Sequence, residues 1–130
     1  PVAAGEVVWI WPAEGKTLNT FGESGSKGLD IAGKAGDPVL AAADGKVLVA
    51  KSFDDSTLRG FGNMVVIKNS ASLITVYAHN SKLLVKEGDV VKGGQQIAEM
   101  GDSGTDRTKL HFEVRKQGNP VDPLQVLPRR

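Results

Sequence analysis

The sequence predicts an all-β protein, an antiparallel sheet folded as a sandwich or barrel-sandwich hybrid. Three observations carry this. Apolar, β-branched runs are short and separated by turn residues. Glycine is abundant, at 16 of 130 residues. Long apolar patterns of period 3.6 are absent.

In chain order, Val7-Val8-Trp9-Ile10-Trp11 is the first apolar run, stopped by Pro12. Its tryptophans alternate with Ile10 and read as packing residues rather than a sugar platform. Asn19 to Gly28 is a Gly- and Ser-containing loop leading into Leu29-Asp30-Ile31-Ala32. Pro38 to Ala43 and Lys46 to Ala50 flank Asp44-Gly45, which predicts a hairpin with a type I′ turn, because glycine accepts the positive φ needed there. A polar loop follows from Lys51 to Arg59, placed to cover or flank a groove. After Gly60-Phe61-Gly62-Asn63, the runs Met64 to Lys68 and Leu73 to His79 predict a second hairpin across Asn69-Ser70-Ala71-Ser72. Gly88-Asp89-Val90-Val91 opens a run ending at Gln96 to Gly101. It repeats the phrase Gly36-Asp37-Pro38-Val39, a faint internal repeat compatible with pseudo-symmetry. Lys109 to Arg115 alternates, with Leu110, Phe112 and Val114 on one face and Lys109, His111, Glu113 and Arg115 on the other, as in a half-buried strand. The tail from Asn119 to Leu124 is punctuated by proline and is expected to pack irregularly. No linker divides the chain, so residues 1–130 read as one domain.

Composition narrows the function classes. The chain is 40% hydrophobic and 24% charged, with a net charge of +1, an ordinary globular balance. The basic residues form no run and are not interleaved with aromatics, which argues against nucleic acid. Cysteine is absent, excluding disulfides and thiolate metal sites. No stretch approaches the roughly 20 apolar residues of a membrane span. The abrupt start at Pro1-Val2-Ala3-Ala4 reads as a cut within a longer protein, with any export signal or anchor upstream.

The chain has two histidines, His79 and His111, each near a strand end or within a strand. Taken alone, such a histidine is more often structural than functional. Asp30 sits between Leu29 and Ile31. It therefore faces away from them or is buried with a partner, since an unpaired buried carboxylate is costly. Tyr77 shares a strand face with His79 and is expected to line the same surface. Nucleophile elbow, phosphate-binding loop and Cys-x-x-Cys are all absent.

Ser26-Lys27-Gly28-Leu29-Asp30-Ile31-Ala32, Val76-Tyr77-Ala78-His79 and Lys109-Leu110-His111-Phe112-Glu113 resemble, in order and spacing, the three signature segments of the lysostaphin-like (LytM-type) zinc endopeptidases. Gly101-Asp102-Ser103-Gly104 resembles that family's Gly-x-[ST]-Gly loop. The resemblance runs from about Trp11 to Pro123. It implies the barrel-sandwich fold of those enzymes. It also implies that Asp30 and His111 stand at ligand positions and His79 at a catalytic one. Ser26 stands where a ligand histidine belongs and Lys109 where the second catalytic histidine belongs, so two of five functional positions are lost.

Both changes oppose a metal. A catalytic zinc site needs three protein ligands and a water, and a serine hydroxyl is a poor substitute for imidazole. A cation about 4 Å from Zn²⁺ would repel it by about 8 kcal/mol at an effective dielectric near 20. Lys109 is instead expected to pair with Asp30. The pattern resembles the degenerate, amidase-activating members of the family, the NlpD and EnvC type and especially the former. The resemblance then implies a non-catalytic periplasmic protein, a lipoprotein anchored in the outer membrane through an upstream region. It would activate zinc-dependent N-acetylmuramyl-L-alanine amidases during daughter-cell separation, with no cofactor of its own. The expected partner-binding groove comprises Ser26, Asp30, Phe61, Tyr77, His79, Lys109, His111 and Arg115. The alternatives are a residual zinc endopeptidase using Asp30, His79 and His111, and a peptidoglycan-binding module without a regulatory partner. A biotinyl- or lipoyl-type carrier is set aside, because the Glu99-Met100-Gly101 step offers no hairpin-tip lysine.

Overall fold

A computed structural model of the chain describes residues 7–53 and 59–130. Ten strands follow in order: β1 (Thr17–Asn19), β2 (Leu29–Ala32), β3 (Pro38–Leu40), β4 (Gly45–Phe53), β5 (Gly62–Lys68), β6 (Leu73–Leu83), β7 (Val90–Val91), β8 (Gln96–Met100), β9 (Lys109–Lys116) and β10 (Asn119–Val121). Three short 3₁₀ turns, Glu23–Gly25, Arg59–Phe61 and Pro123–Gln125, complete the elements, and no α-helix occurs among the described residues. No helix there is long and apolar enough to cross a membrane. The all-β expectation holds.

Every pairing is antiparallel, and the main sheet runs β1-β2-β9-β6-β5-β4-β7. β10 extends β9, while β8 joins β3 to β6. The period of two in each strand divides this sheet into two faces. Inward lie Leu29, Ile31, Val65, Ile67, Tyr77, Leu110, Phe112 and Val114, each fully buried in one cluster with Val39, Ala41, Ile97 and Met100. At the centre, the Tyr77 and Phe112 rings sit 5.3 Å apart at a tilt, a favourable aromatic arrangement. On the opposite face, Met64, Val66 and Val76 form a smaller cluster with Val49, Phe61 and Ile74 against it.

The β5–β6 hairpin forms as expected, with Lys68 opposite Ile74 and Ile67 opposite Thr75. The hairpin expected at Asp44-Gly45 does not. β3 pairs with β8, and β4 pairs with β5 and β7. Gly45 does not adopt a positive φ. Its lack of a side chain serves close approach instead, since a Cβ there would lie 2.4 Å from the Lys68 carbonyl oxygen. Asp44 ties the bend to distant turns, accepting from the Gly93 amide at 2.8 Å while its own carbonyl accepts from Asn69 Nδ2 at 2.9 Å. An Asp-Gly pair thus joins two strands that pair with different neighbours here.

The Gly-Asp repeat has a structural counterpart. In Lys34-Ala35-Gly36-Asp37 and Lys86-Glu87-Gly88-Asp89 the aspartate carboxylate accepts from the lysine amide at 2.8 and 3.0 Å. The aspartate amide bonds back to the lysine carbonyl, and both glycines have φ above 90°. Lys92-Gly93-Gly94-Gln95 makes the same turn with Gln95 Oε1 as acceptor, at 3.1 Å. These turns lead directly into β3, β7 and β8.

The expected tail irregularity is only partial. Asn119–Val121 pairs with Lys116, Arg115 and Val114, and Pro120 is tolerated because β10 is an edge strand. Asp122 then caps the last 3₁₀ turn through Leu124 N, 3.0 Å away. Trp9 and Trp11 pack against the core. Trp11 also donates to the Pro128 carbonyl at 2.6 Å, with the Arg130 guanidinium 3.7 Å above its ring. The Lys51 to Arg59 loop is shorter than expected, because Lys51, Ser52 and Phe53 continue β4 opposite Met64, Asn63 and Gly62. Residues 54–58, and with them the question of groove cover, lie outside the described residues.

Candidate functional site

β2 and β9 place Asp30 directly opposite His111, and β6 places Ala78 on the other side of His111. Polar side chains of three neighbouring strands therefore meet on the face away from the core. Asp30 is only 5% exposed and Glu113 only 1%, so each needs partners, and each has them. Lys109 Nζ lies 3.1 Å from Asp30 Oδ2 and His111 Nδ1 lies 2.6 Å from Asp30 Oδ1. His111 Nε2 lies 2.8 Å from Glu113 Oε2, and Arg115 binds Glu113 Oε1 through Nε at 2.8 Å and Nη2 at 2.7 Å. The result is a line of alternating charge, Lys109–Asp30–His111–Glu113–Arg115. The lysine–aspartate pair expected from the family resemblance is present.

Both His111 nitrogens face carboxylate oxygens, which only accept, so the ring donates from both and is a cation. Burial alone would lower its pKa, but hydrogen bonds to Asp30 and Glu113 and their charges outweigh this and raise it to about 9. Asp30 and Glu113 show the mirror effect. Burial pushes each carboxyl up, yet hydrogen bonds from His111 and from Lys109 or Arg115 hold it below its ordinary value.

His79 is different. Its Nδ1 lies 2.8 Å from the Ser103 carbonyl oxygen, to which it donates. Burial lowers its pKa, and the nearby His111 and Lys109 cations lower it further. The ring is therefore neutral with Nε2 as an acceptor. It reaches this face because His79 has φ +71°, a left-handed conformation rare for residues with a Cβ. Its ring centroid is 6.0 Å from that of His111.

That reversal corrects the expectation for Tyr77. Strict alternation would put Tyr77 and His79 on one face, but the left-handed residue breaks the pattern. Tyr77 is fully buried, and its hydroxyl accepts from the Ala42 amide at 2.9 Å and bonds Thr75 at 2.9 Å. Burial pushes its pKa up to about 12 despite those hydrogen bonds. Tyr77 is a core residue and does not line the groove.

Ser26 is engaged within its own loop, its hydroxyl donating to the Gly28 carbonyl at 3.1 Å and accepting from the Gly28 amide at 3.3 Å. Phe61 lies over His111, with centroids 6.1 Å apart. Arg115 and Phe61 also border a hollow of about 200 Å³ floored by Met64, Val66 and Val76. Three contributors escaped the sequence reading. Glu113 was placed on the polar face but given no task, although its position two residues after His111 on one strand face was the available signal. Ser103 orients His79 and also ties Asn63 and Asn80 through its hydroxyl, at 3.0 and 2.7 Å. Gly28 lets His111 approach, since Cε1 is 3.1 Å from where a Cβ would stand. A separate hollow of about 580 Å³ lies between Trp11 and the C-terminal tail.

As arranged, these residues do not fit a zinc ion. The Lys109 ammonium holds one Asp30 oxygen, His111 has no free nitrogen lone pair, and the Ser26 hydroxyl is engaged locally. Among the described residues, no group of three or more His, Cys, Asp or Glu is placed to hold a metal.

The chain is 56% identical over its whole length to the lipoprotein NlpD/LppB homolog of Pseudomonas aeruginosa, of which it covers 44%. It is 49% identical over 94% of its length to the murein hydrolase activator NlpD of Escherichia coli K12, covering 32% of that protein. The chain thus spans less than half the length of these relatives. Among solved structures, a putative peptidase M23 from Pseudomonas aeruginosa superposes with a TM-score of 0.83 at 27% identity, over 92% of this chain and 50% of that one. Lysostaphin from Staphylococcus simulans does so with 0.78 at 26% identity, over 91% and 53%. The model of peptidase family M23 matches residues 24–123, and the chain accordingly belongs to peptidase family M23.

Proposed function

We propose that this chain is a single degenerate LytM domain from the C-terminal part of a longer, outer-membrane-anchored periplasmic protein. In this reading it activates a zinc-dependent N-acetylmuramyl-L-alanine amidase in daughter-cell separation and cleaves nothing itself. The observation that carries the reading is the Lys109 ammonium held 3.1 Å from Asp30. A peptidase of this family would keep that carboxylate for its metal, and here a side-chain cation balances it instead. The resulting surface is partly buried and rich in charged donors, which suits recognition better than hydrolysis. The name of the Escherichia coli relative, murein hydrolase activator, supports the same direction.

Activation requires the groove to bind the open amidase more tightly than the closed one. Moving an amidase from about 1% to about 99% open needs roughly 10⁴-fold preference, or about 5.5 kcal/mol. A few fully desolvated contacts within one groove can supply that. The groove comprises Ser26, Asp30, Phe61, His79, Lys109, His111 and Arg115.

Binding tests the reading. The purified chain is titrated calorimetrically with purified envelope amidases, and in parallel incubated with sacculi with and without amidase. Saturable binding to an amidase is expected. Retention on sacculi alone, with no affinity for any amidase, would instead favour a peptidoglycan-binding module.

A further inference from the structure

Among the described residues the charges in the groove do not balance, and the imbalance has a direction. Lys109, His111 and Arg115 are cations at neutral pH, against two carboxylates, Asp30 and Glu113. All four carboxylate oxygens already accept. On the donor side there is a surplus. Lys109 carries three donors and gives one to Asp30; Arg115 carries five and directs two to Glu113. Their side chains remain 20% and 28% exposed, so the unused donors are reachable. They lie six residues apart on one strand, roughly 20 Å at about 3.3 Å per residue.

Beside Arg115 lies the apolar hollow of about 200 Å³, with Phe61 and Ile74 on its walls and Met64, Val66 and Val76 beneath. Pockets that enclose small molecules are commonly about 300–1,000 Å³. This hollow is smaller, and its size suits one or two aliphatic side chains projecting from a larger partner. Glu113 is on its rim, but both oxygens are occupied and it offers an approaching anion no new cost beyond that already offset by His111 and Arg115.

From these two features together we infer that the groove receives an acidic amphipathic segment of a protein partner. An aliphatic side chain enters the Phe61–Ile74 hollow, and carboxylates reach Arg115 at one end and Lys109 at the other. The inference rests on the reading that this face binds an amidase, and specifies the chemistry that the bound segment must carry. A basic or purely apolar segment would leave the spare donors unanswered or repelled.

Two synthetic peptides with the same aliphatic pattern, one with glutamate and one with lysine at the polar positions, are titrated against the protein by fluorescence anisotropy. The acidic peptide is expected to bind at least about tenfold more tightly, since charge-assisted hydrogen bonds are lost with the other. Its affinity should fall about tenfold in R115Q and in F61A, and should weaken with added salt. Circular dichroism confirms that each variant is folded, and the two-peptide comparison needs no variant. Equal binding of both peptides, or preference for the basic one, overturns the inference. So does amidase binding that is indifferent to R115Q, although this leaves the amidase reading standing. If no amidase binds yet the acidic peptide does, the surface chemistry stands and the amidase reading falls.

Discussion

His111 is the hinge of the charged line, and its titration gives the most quantitative test. A rise of its pKa from 6.5 to about 9 corresponds to about 3 kcal/mol of preference for the protonated ring in the folded state. The side chain is only 15% exposed, so solvent screens this little. The lowered pKa values of Asp30 and Glu113 describe the same contacts from the other side and are not added to it. The size agrees with the roughly 3–5 kcal/mol expected when one partner of a buried ion pair is removed. The direction follows from linkage. Below about pH 6.5 the folded and unfolded chains both hold the proton and the contribution is complete. As pH rises toward about 9 the unfolded chain has released the proton and the folded chain has not, so the contribution is progressively lost. Urea unfolding at about pH 6 and about pH 9.5 should therefore show wild type losing about 3 kcal/mol more than H111Q over that interval. Imidazole NMR should place the His111 midpoint near 9 and that of His79 below the ordinary histidine value. E113Q should move the His111 midpoint down. A wild-type His111 midpoint near 6.5, or an identical pH slope in H111Q, would refute the charged-line account.

Other expectations follow from single contacts. Y77F removes the hydroxyl that satisfies the buried Ala42 amide and should cost about 1–3 kcal/mol, read as a lower urea midpoint with unchanged slope. Because His79 holds φ +71°, H79V should be less stable than H79N by about 1–3 kcal/mol, both having lost the Ser103 contact. After dialysis against zinc, metal analysis should find stoichiometric zinc in the double variant S26H/K109H and none in wild type. Zinc affinity should return before any peptidase activity. Stoichiometric zinc in wild type would revive the peptidase reading.

Much of this was legible in the sequence where period and spacing act locally. The β5–β6 hairpin and the two faces of Lys109 to Arg115 follow from side-chain period. The Lys109–Asp30 pair was reachable through the family resemblance, which implies that both positions belong to one site. Three features were not legible, each for a physical reason. Asp44-Gly45 satisfies the preference of a tight turn, yet glycine is there because the Lys68 backbone passes 2.4 Å from its missing Cβ, a contact made by distant chain. Tyr77 was misplaced because a single left-handed residue, His79, reverses the alternation, and nothing in Tyr-Ala-His announces a positive φ. Glu113 was visible on the correct face, but its near-complete burial depends on neighbouring strands that one strand's pattern does not reveal.

Under the proposed function, a peptidase fold serves activation without cleavage. Release of dye from labelled sacculi tests it most directly, with the chain alone, a zinc-dependent amidase alone, and the two together. The chain alone should release no dye, and the mixture should release it faster than the amidase does. Release by the chain alone, or no stimulation of any envelope amidase, would contradict the account.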